Sequence, residues 1–170
     1  MQMKNERIET NQMDGAGTEN NRVPGTEIQI DHMQKKDAAE VAAIEKQIFS
    51  MPWSENGFLT SLQSEDTLYL VARRQNRIVG YWGLLQSFEE ADITNVAVAP
   101  KERGRGIAFA MLTSLMTLGK ERGIERFTLE VRSGNAAAIH LYEKLGFASV
   151  GVRKNFYDKP KEDANIMWKR

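Results

Sequence analysis

The 170-residue chain contains no cysteine. That excludes disulfides, thiolate metal sites and a cysteine nucleophile, and it fits a reducing compartment. Its two histidines, His32 and His140, are not spaced as a metal pair, and no metal site is expected. No apolar run approaches the roughly 18 residues of a membrane span, and the N-terminus has no apolar signal-peptide core. Neither charge is in excess, with Lys+Arg and Asp+Glu at 23 each, so no overall field draws the protein to nucleic acid or to an anionic membrane. A cytoplasmic protein without membrane or direct nucleic-acid partners is the expectation. Also missing are Gly-x-Ser-x-Gly, the Gly-x-x-x-x-Gly-Lys-Ser/Thr phosphate loop and the third glycine of the dinucleotide fingerprint.

What is present suffices for one substantial core, with 41% hydrophobic residues. Residues 1–25 are rich in Asn, Glu, Gly and Thr without apolar periodicity and read as a flexible tail, leaving 26–170 as a single domain. Ile28 and Ile30 alternate in a first strand. Asp37 and Glu40 form a capping-box-like start to a helix carrying Val41, Ile44 and Ile48 on one face. Pro52-Trp53-Ser54 interrupts, and Ser54 can cap a short helix bearing Phe58 and Leu62. Strands follow at 67–74 and 77–88, joined by a tight Gln75-Asn76 hairpin, with a third at 92–99. A helix after Gly106 presents Ile107, Met111, Leu115 and Leu118 and stops at Gly123. A strand at 126–132, a helix from Ala136 to about Leu145, and strands at 147–155 and 165–168 complete the chain. The charged run 159–163 reads as solvated surface.

The order β-α-α-β-β-β-α-β-α-β-β predicts an α+β (mixed α/β) fold, a mixed sheet flanked by helices. A crossover helix makes the strand before Pro100 and the strand at Arg126 parallel neighbours.

Three stretches can carry chemistry. Between Ala99 and Ile107, Gly104 and Gly106 let the backbone approach a ligand, and the first turn of the following helix offers free N–H groups to an anion, with Arg103 and Arg105 nearby. Glu130 lies within Phe127-Thr-Leu-Glu-Val131, on the face opposite Phe127, Leu129 and Val131; it reads either as a carboxylate that points at solvent or pairs with Arg132 or another cation, or as a general base. Tyr142 follows Ala138 and Leu141 on the inner face of its helix, so it reads as core packing with its hydroxyl hydrogen-bonded, while Asn135 can cap that helix.

Arg103-x-x-Gly106-x-Ala108 after Asn95-Val-Ala-Val98, together with Asn135-x-x-Ala138-x-x-Leu141-Tyr142-x-x-Leu145-Gly146-Phe147, resembles the two acetyl-coenzyme A motifs of the GNAT superfamily of N-acetyltransferases. Pro52-Trp53-Ser54, Leu129 to Ile139 and Arg153 to Tyr157 resemble the ribosomal-protein-alanine N-acetyltransferases within it, the RimI group. The resemblance implies that acetyl-CoA is the co-substrate and that Val96, Ala97 and Val98 lend backbone groups to the pantetheine arm and acetyl carbonyl. It further implies that Gly104, Arg105, Gly106, Ile107, Ala108 and Phe109, beside Arg103, surround the pyrophosphate and that Asn135 touches the cofactor. Glu130 is then the proton acceptor and Tyr142 the proton donor and a cofactor contact. The acceptor, a ribosomal protein N-terminus beginning with Ala, Ser or Thr, is implied to lie between Trp53 and the segment containing Asn155 and Tyr157. Gly104 and Phe109 depart from relatives that carry arginine or another polar residue there, so phosphate binding leans on backbone N–H groups, Arg103 and Arg105. Two alternatives stand beside this: acetylation of a small-molecule amine, and a regulatory module that binds acetyl-CoA without turning it over.

Overall fold

The computed structural model describes residues 22–23 and 26–170. The expected tail therefore lies outside the described residues, except for Arg22 and Val23; Arg22 forms an isolated antiparallel bridge to Gln29.

The elements are β1 (Gln29–His32), α1 (Ala38–Ile48), α2 (Glu55–Ser61), β2 (Thr67–Arg74), β3 (Arg77–Ser87), β4 (Glu90–Val98), α3 (Ile107–Glu121), β5 (Arg126–Arg132), α4 (Ala136–Lys144), β6 (Ala148–Asp158) and β7 (Lys161–Lys169). Their order is the expected one. They build a single seven-stranded sheet, β1-β2-β3-β4-β5-β7-β6, in which β4 and β5 are parallel and every other pair is antiparallel. The parallel pair is the one joined by a crossover helix, α3.

Local chemistry explains most boundaries. Gln75 and Asn76 both take positive φ (50° and 63°), as a two-residue hairpin of matching twist requires. Ser54 Oγ accepts the Gly57 N–H at 3.1 Å and Asn135 Oδ1 accepts that of Ala138 at 3.2 Å, so both expected caps form. The start of α1 differs from expectation. Asp37 closes a 3-10 turn (Lys35–Asp37) that begins at Gln34, accepting the Gln34 N–H at 2.9 Å and a salt bridge from Arg73 at 2.8 Å. Glu40 instead accepts the Ile78 N–H of β3 at 2.9 Å, a long-range partner that sequence spacing does not reveal.

The C-terminal hairpin is also longer than expected, and the charged run 159–163 is not simply solvated. Lys161 to Asp163 belong to β7. Glu162 pairs with Arg132 at 3.1 Å and accepts the Gly134 N–H, while Asp163 accepts from Lys154 and from the Asn155 N–H, each at 2.8 Å. These hydrogen bonds hold the Asp163 carboxyl below its ordinary range, Lys154 contributing most.

The sheet separates two apolar layers. One is built by α3 and α4 with Phe127, Leu129 and Val131; the other by α1 and α2 with Tyr69, Val71 and Tyr81. Alternation along β5 turns Glu130 away from the α3/α4 layer. The feature that positions the site is a gap. β4 and β5 pair only from Glu90↔Arg126 to Ile93↔Leu129, although β4 runs on to Val98 and β5 to Arg132. A bulge against β3 places Thr94 as the extra residue at the point where that pairing stops. Bulges bend the strand that carries them, so β4 turns away from β5 and the two splay.

Candidate active site

The splay opens a cleft of about 890 Å³, within the range of ligand sites. Its floor is β4 from Thr94 to Val98 and β5 from Leu129 to Arg132. The Ala99 N–H is donated to Val79 O at 2.8 Å, and Ala97 stands opposite Tyr81 on β3. By antiparallel alternation Ala97 therefore spends its polar groups on β3, while Val96 and Val98 turn theirs toward the gap. Of the three expected backbone contributors, these two face the cleft. Arg103 Nε donates to Val98 O at 3.3 Å, fixing the loop to the end of the strand.

At one end stands the start of α3. Gly104 and Gly106 have φ of 75° and 74°, and a Cβ on either would meet nothing within 4 Å. The helix begins at Gly106 without a side-chain cap, leaving its first N–H groups unsatisfied by a cap. An open approach and free amides at the positive end of a 15-residue helix fit a phosphate group. Arg103, Gly104, Ile107 and Ala108 line the cleft; Arg105, Gly106 and Phe109 do not. Arg105 is instead paired with Glu102 at 3.3 Å, and Phe109 is exposed.

Asn135 and Tyr142 enter from α4. Tyr142 is 8% exposed, with its ring edge-on to Phe147 at 5.9 Å, so the packing reading holds for the ring while the residue still borders the cleft. Burial, with a smaller contribution from Tyr157, pushes its phenol up to about 12. It carries its proton at neutral pH and can give it away but cannot serve as a resting base.

Glu130 enters from β5, and Arg153 Nη1 meets its Oε1 at 2.6 Å. The cation is thus Arg153 rather than the neighbouring Arg132. Arg132 lies over the Tyr157 ring at 4.2 Å and donates to the carbonyls of Pro160 (2.9 Å) and Lys159 (3.1 Å), pinning the β6–β7 turn. Ser50 Oγ also donates to Lys159 O, so the α1–α2 loop and the β6–β7 turn meet over the far end of the cleft. Trp53 and Tyr157 line that end. Asn155 does not: with φ 52° it sits in a bulge and donates its N–H to Asp163. The Tyr157 phenol is raised, first by burial and then by the charge of Glu130.

Sequence reasoning missed Glu45. It is 3% exposed, lines the cleft, and accepts the Trp53 N–H at 3.2 Å through Oε1. Burial pushes its carboxyl up to about 6, the Trp53 hydrogen bond offsetting part of the shift. A signal existed, since Glu45 is four residues after Val41 and three before Ile48, inside the apolar stripe of α1.

Residues 38–147 match the sequence profile of the Acetyltransferase (GNAT) family. The [ribosomal protein bS18]-alanine N-acetyltransferase of Haemophilus influenzae is 36% identical over 141 residues, covering 81% of this chain and 95% of that one. The crystal structure of the ribosomal-protein-S18-alanine N-acetyltransferase of Escherichia coli superposes with a TM-score of 0.77 at 33% identity, covering 83% of this chain and 92% of that one. The ribosomal-protein-alanine N-acetyltransferase of Brucella melitensis gives 0.71 at 26% identity, over 82% and 98%. With a profile match over more than half its length and relatives of this identity covered almost end to end, the chain belongs to the Acetyltransferase (GNAT) family.

Proposed function

We propose that the protein transfers acetyl from acetyl-CoA to the α-amino group of a protein N-terminus, that of a ribosomal protein beginning with Ala, Ser or Thr. The observation that carries this reading is the splayed cleft, which joins a phosphate-ready helix start at one end to a roofed channel at the other. The names of the similar proteins supply the acceptor class.

In this reading the amides of Ile107 and Ala108 and the Arg103 side chain hold the pyrophosphate, and Asn135 adds a contact. The cleft-facing backbone of Val96 and Val98 aligns the pantetheine arm and polarises the thioester carbonyl. Glu130 takes one proton from the α-ammonium, directly or through a water, which requires the carboxylate to exchange its Arg153 contact for the acceptor. The freed amine forms the C–N bond, the C–S bond breaks with Tyr142 protonating the departing sulfur, and the extra proton on the new amide nitrogen restores the Tyr142 phenol while Glu130 passes its own to solvent. A phenol near 12 is a weaker acid than a thiol near 8.5, so this proton transfer is uphill and is least so once the C–S bond has broken and the full charge rests on sulfur. Trp53 and Tyr157 flank the acceptor's first residue.

The test pairs acetyl-CoA with an Ala-initiated peptide, read by mass shift and thiol release. One acetyl group should be added, and none to the same peptide with a blocked N-terminus. Glu130→Gln should lower kcat/KM about 10²- to 10⁴-fold at neutral pH and recover relative to wild type as pH approaches the amine's own pKa, roughly 8. A wild-type to variant ratio that stays flat from about pH 6 to pH 9 would assign the base elsewhere. Thiol release with small amines alone would shift the reading to a small-molecule acceptor, and binding without any release to a regulatory module.

A further inference from the structure

No step above uses Glu45, yet its environment is unusual. The side chain is 3% exposed, and its Oε1 is committed to the Trp53 N–H, while Oε2 is buried with no hydrogen-bond partner. Two of the other carboxylates bordering the cleft have cations: Glu130 has Arg153, and Glu102 has Arg74 and Arg105. Asp158 is exposed to water. Among the described residues no salt bridge reaches Glu45. The groups that feel it are the Trp53 amide and the Tyr69 phenol of β2, whose proton its charge helps retain.

A buried carboxylate without a counter-charge is costly, and a fold keeps one where something supplies the charge. A metal is a poor candidate, because among the described residues no cluster of three or more ligating side chains exists. Glu45 lines the channel that the proposed acceptor enters, beside Trp53, and its unpartnered oxygen, covered in the free protein, suits a single compact cationic donor once the side chain turns into the channel. We propose that Glu45 Oε2 seats the α-ammonium of the incoming N-terminus, holding the acceptor against Trp53 before the proton leaves. This rests on the acceptor reading above. It makes Glu45 a recognition group for the charged amine, distinct from Glu130 as proton acceptor, and it links the ammonium to the Trp53 loop through the two oxygens of one carboxylate.

The experiment measures binding, without turnover. With saturating coenzyme A, the affinity of an Ala-initiated peptide is compared with that of the same peptide carrying a propionyl group in place of alanine, which keeps the carbon skeleton and deletes the amine. Wild type should favour the amine peptide about 10- to 100-fold, the scale of one charge-assisted hydrogen bond. Glu45→Gln keeps an oxygen for the Trp53 amide, so coenzyme A affinity and binding of the propionyl peptide should be unchanged while the preference disappears. Glu45→Asp, which retains the charge but withdraws it by one methylene, should show a reduced preference and covers the case in which the glutamine variant does not fold. A preference that survives undiminished in either folded variant overturns the assignment and leaves Glu45 as an anchor for the Trp53 loop. Wild type binding both peptides equally overturns it too, while sparing the acceptor reading; wild type binding neither would sink both.

Discussion

At the scale of single residues, the raised pKa of Glu45 makes a stability prediction that separates cleanly from activity. The folded protein holds the proton more readily than the unfolded chain, between the ordinary value of 4.5 and about 6. Stability attributable to this group is therefore greatest below about 4.5, declines as pH rises through that window, and carries its full penalty above 6. The penalty is about 2 kcal/mol. Glu45→Gln does not titrate, so relative to wild type it should gain about 4 to 8 °C in Tm between pH 4 and pH 7, other groups cancelling between the two proteins. Equal differences at both pH values would show that the carboxyl is not held in a costly charged state. The same scale shows what the sequence reveals and what it hides. Glu130 and Tyr142 are legible because each breaks or joins a periodic apolar pattern. Arg153 as the partner of Glu130 is not, since the cation arrives from a strand two places away in the sheet. Glu45 hides because a glutamate in an amphipathic helix is read by default as solvated.

Among elements, the loop into α3 is the one whose backbone conformation and chemistry coincide. Gly106 at φ 74° has open space where a side chain would grow, so substitution meets strain but no neighbour within the protein. Gly106→Val should cost about 1 to 2 kcal/mol of stability from the left-handed backbone and leave the circular dichroism spectrum intact. Calorimetry should find acetyl-CoA bound about 10- to 100-fold more weakly, as misdirected amides imply. Unchanged affinity in the folded variant would remove this loop from the site. Elements whose ends are written locally, such as α2 with Ser54 and α4 with Asn135, fall where the sequence places them. Those whose ends depend on distant partners do not: α1 begins in a turn tied to Arg73, and β7 starts early because Glu162 and Asp163 find Arg132 and Lys154.

For the whole molecule, the sheet is two half-sheets, β1 to β4 and β5 to β7, joined by four residue pairs. A pantetheine arm bonded to Val96 and Val98 would extend that seam. Amide hydrogen exchange should therefore slow on saturation with acetyl-CoA across 94–98 as well as at 104–109. Protection confined to the α3 loop would show that the arm does not use the strand. The sequence announces that β4 and β5 are parallel neighbours, through the crossover helix. That they separate halfway depends on a single extra residue, Thr94, whose effect on register has no composition signature. The seam also bears on how this chain behaves in crowded solution. Unpaired strand edges are templates for pairing with other molecules and a common origin of aggregation. Here the unpaired stretches of β4 and β5 face one another inside the cleft, roofed at one end by the Ser50 and Arg132 contacts to Lys159. The molecule can keep part of its sheet unzipped for a guest without offering that edge to its neighbours.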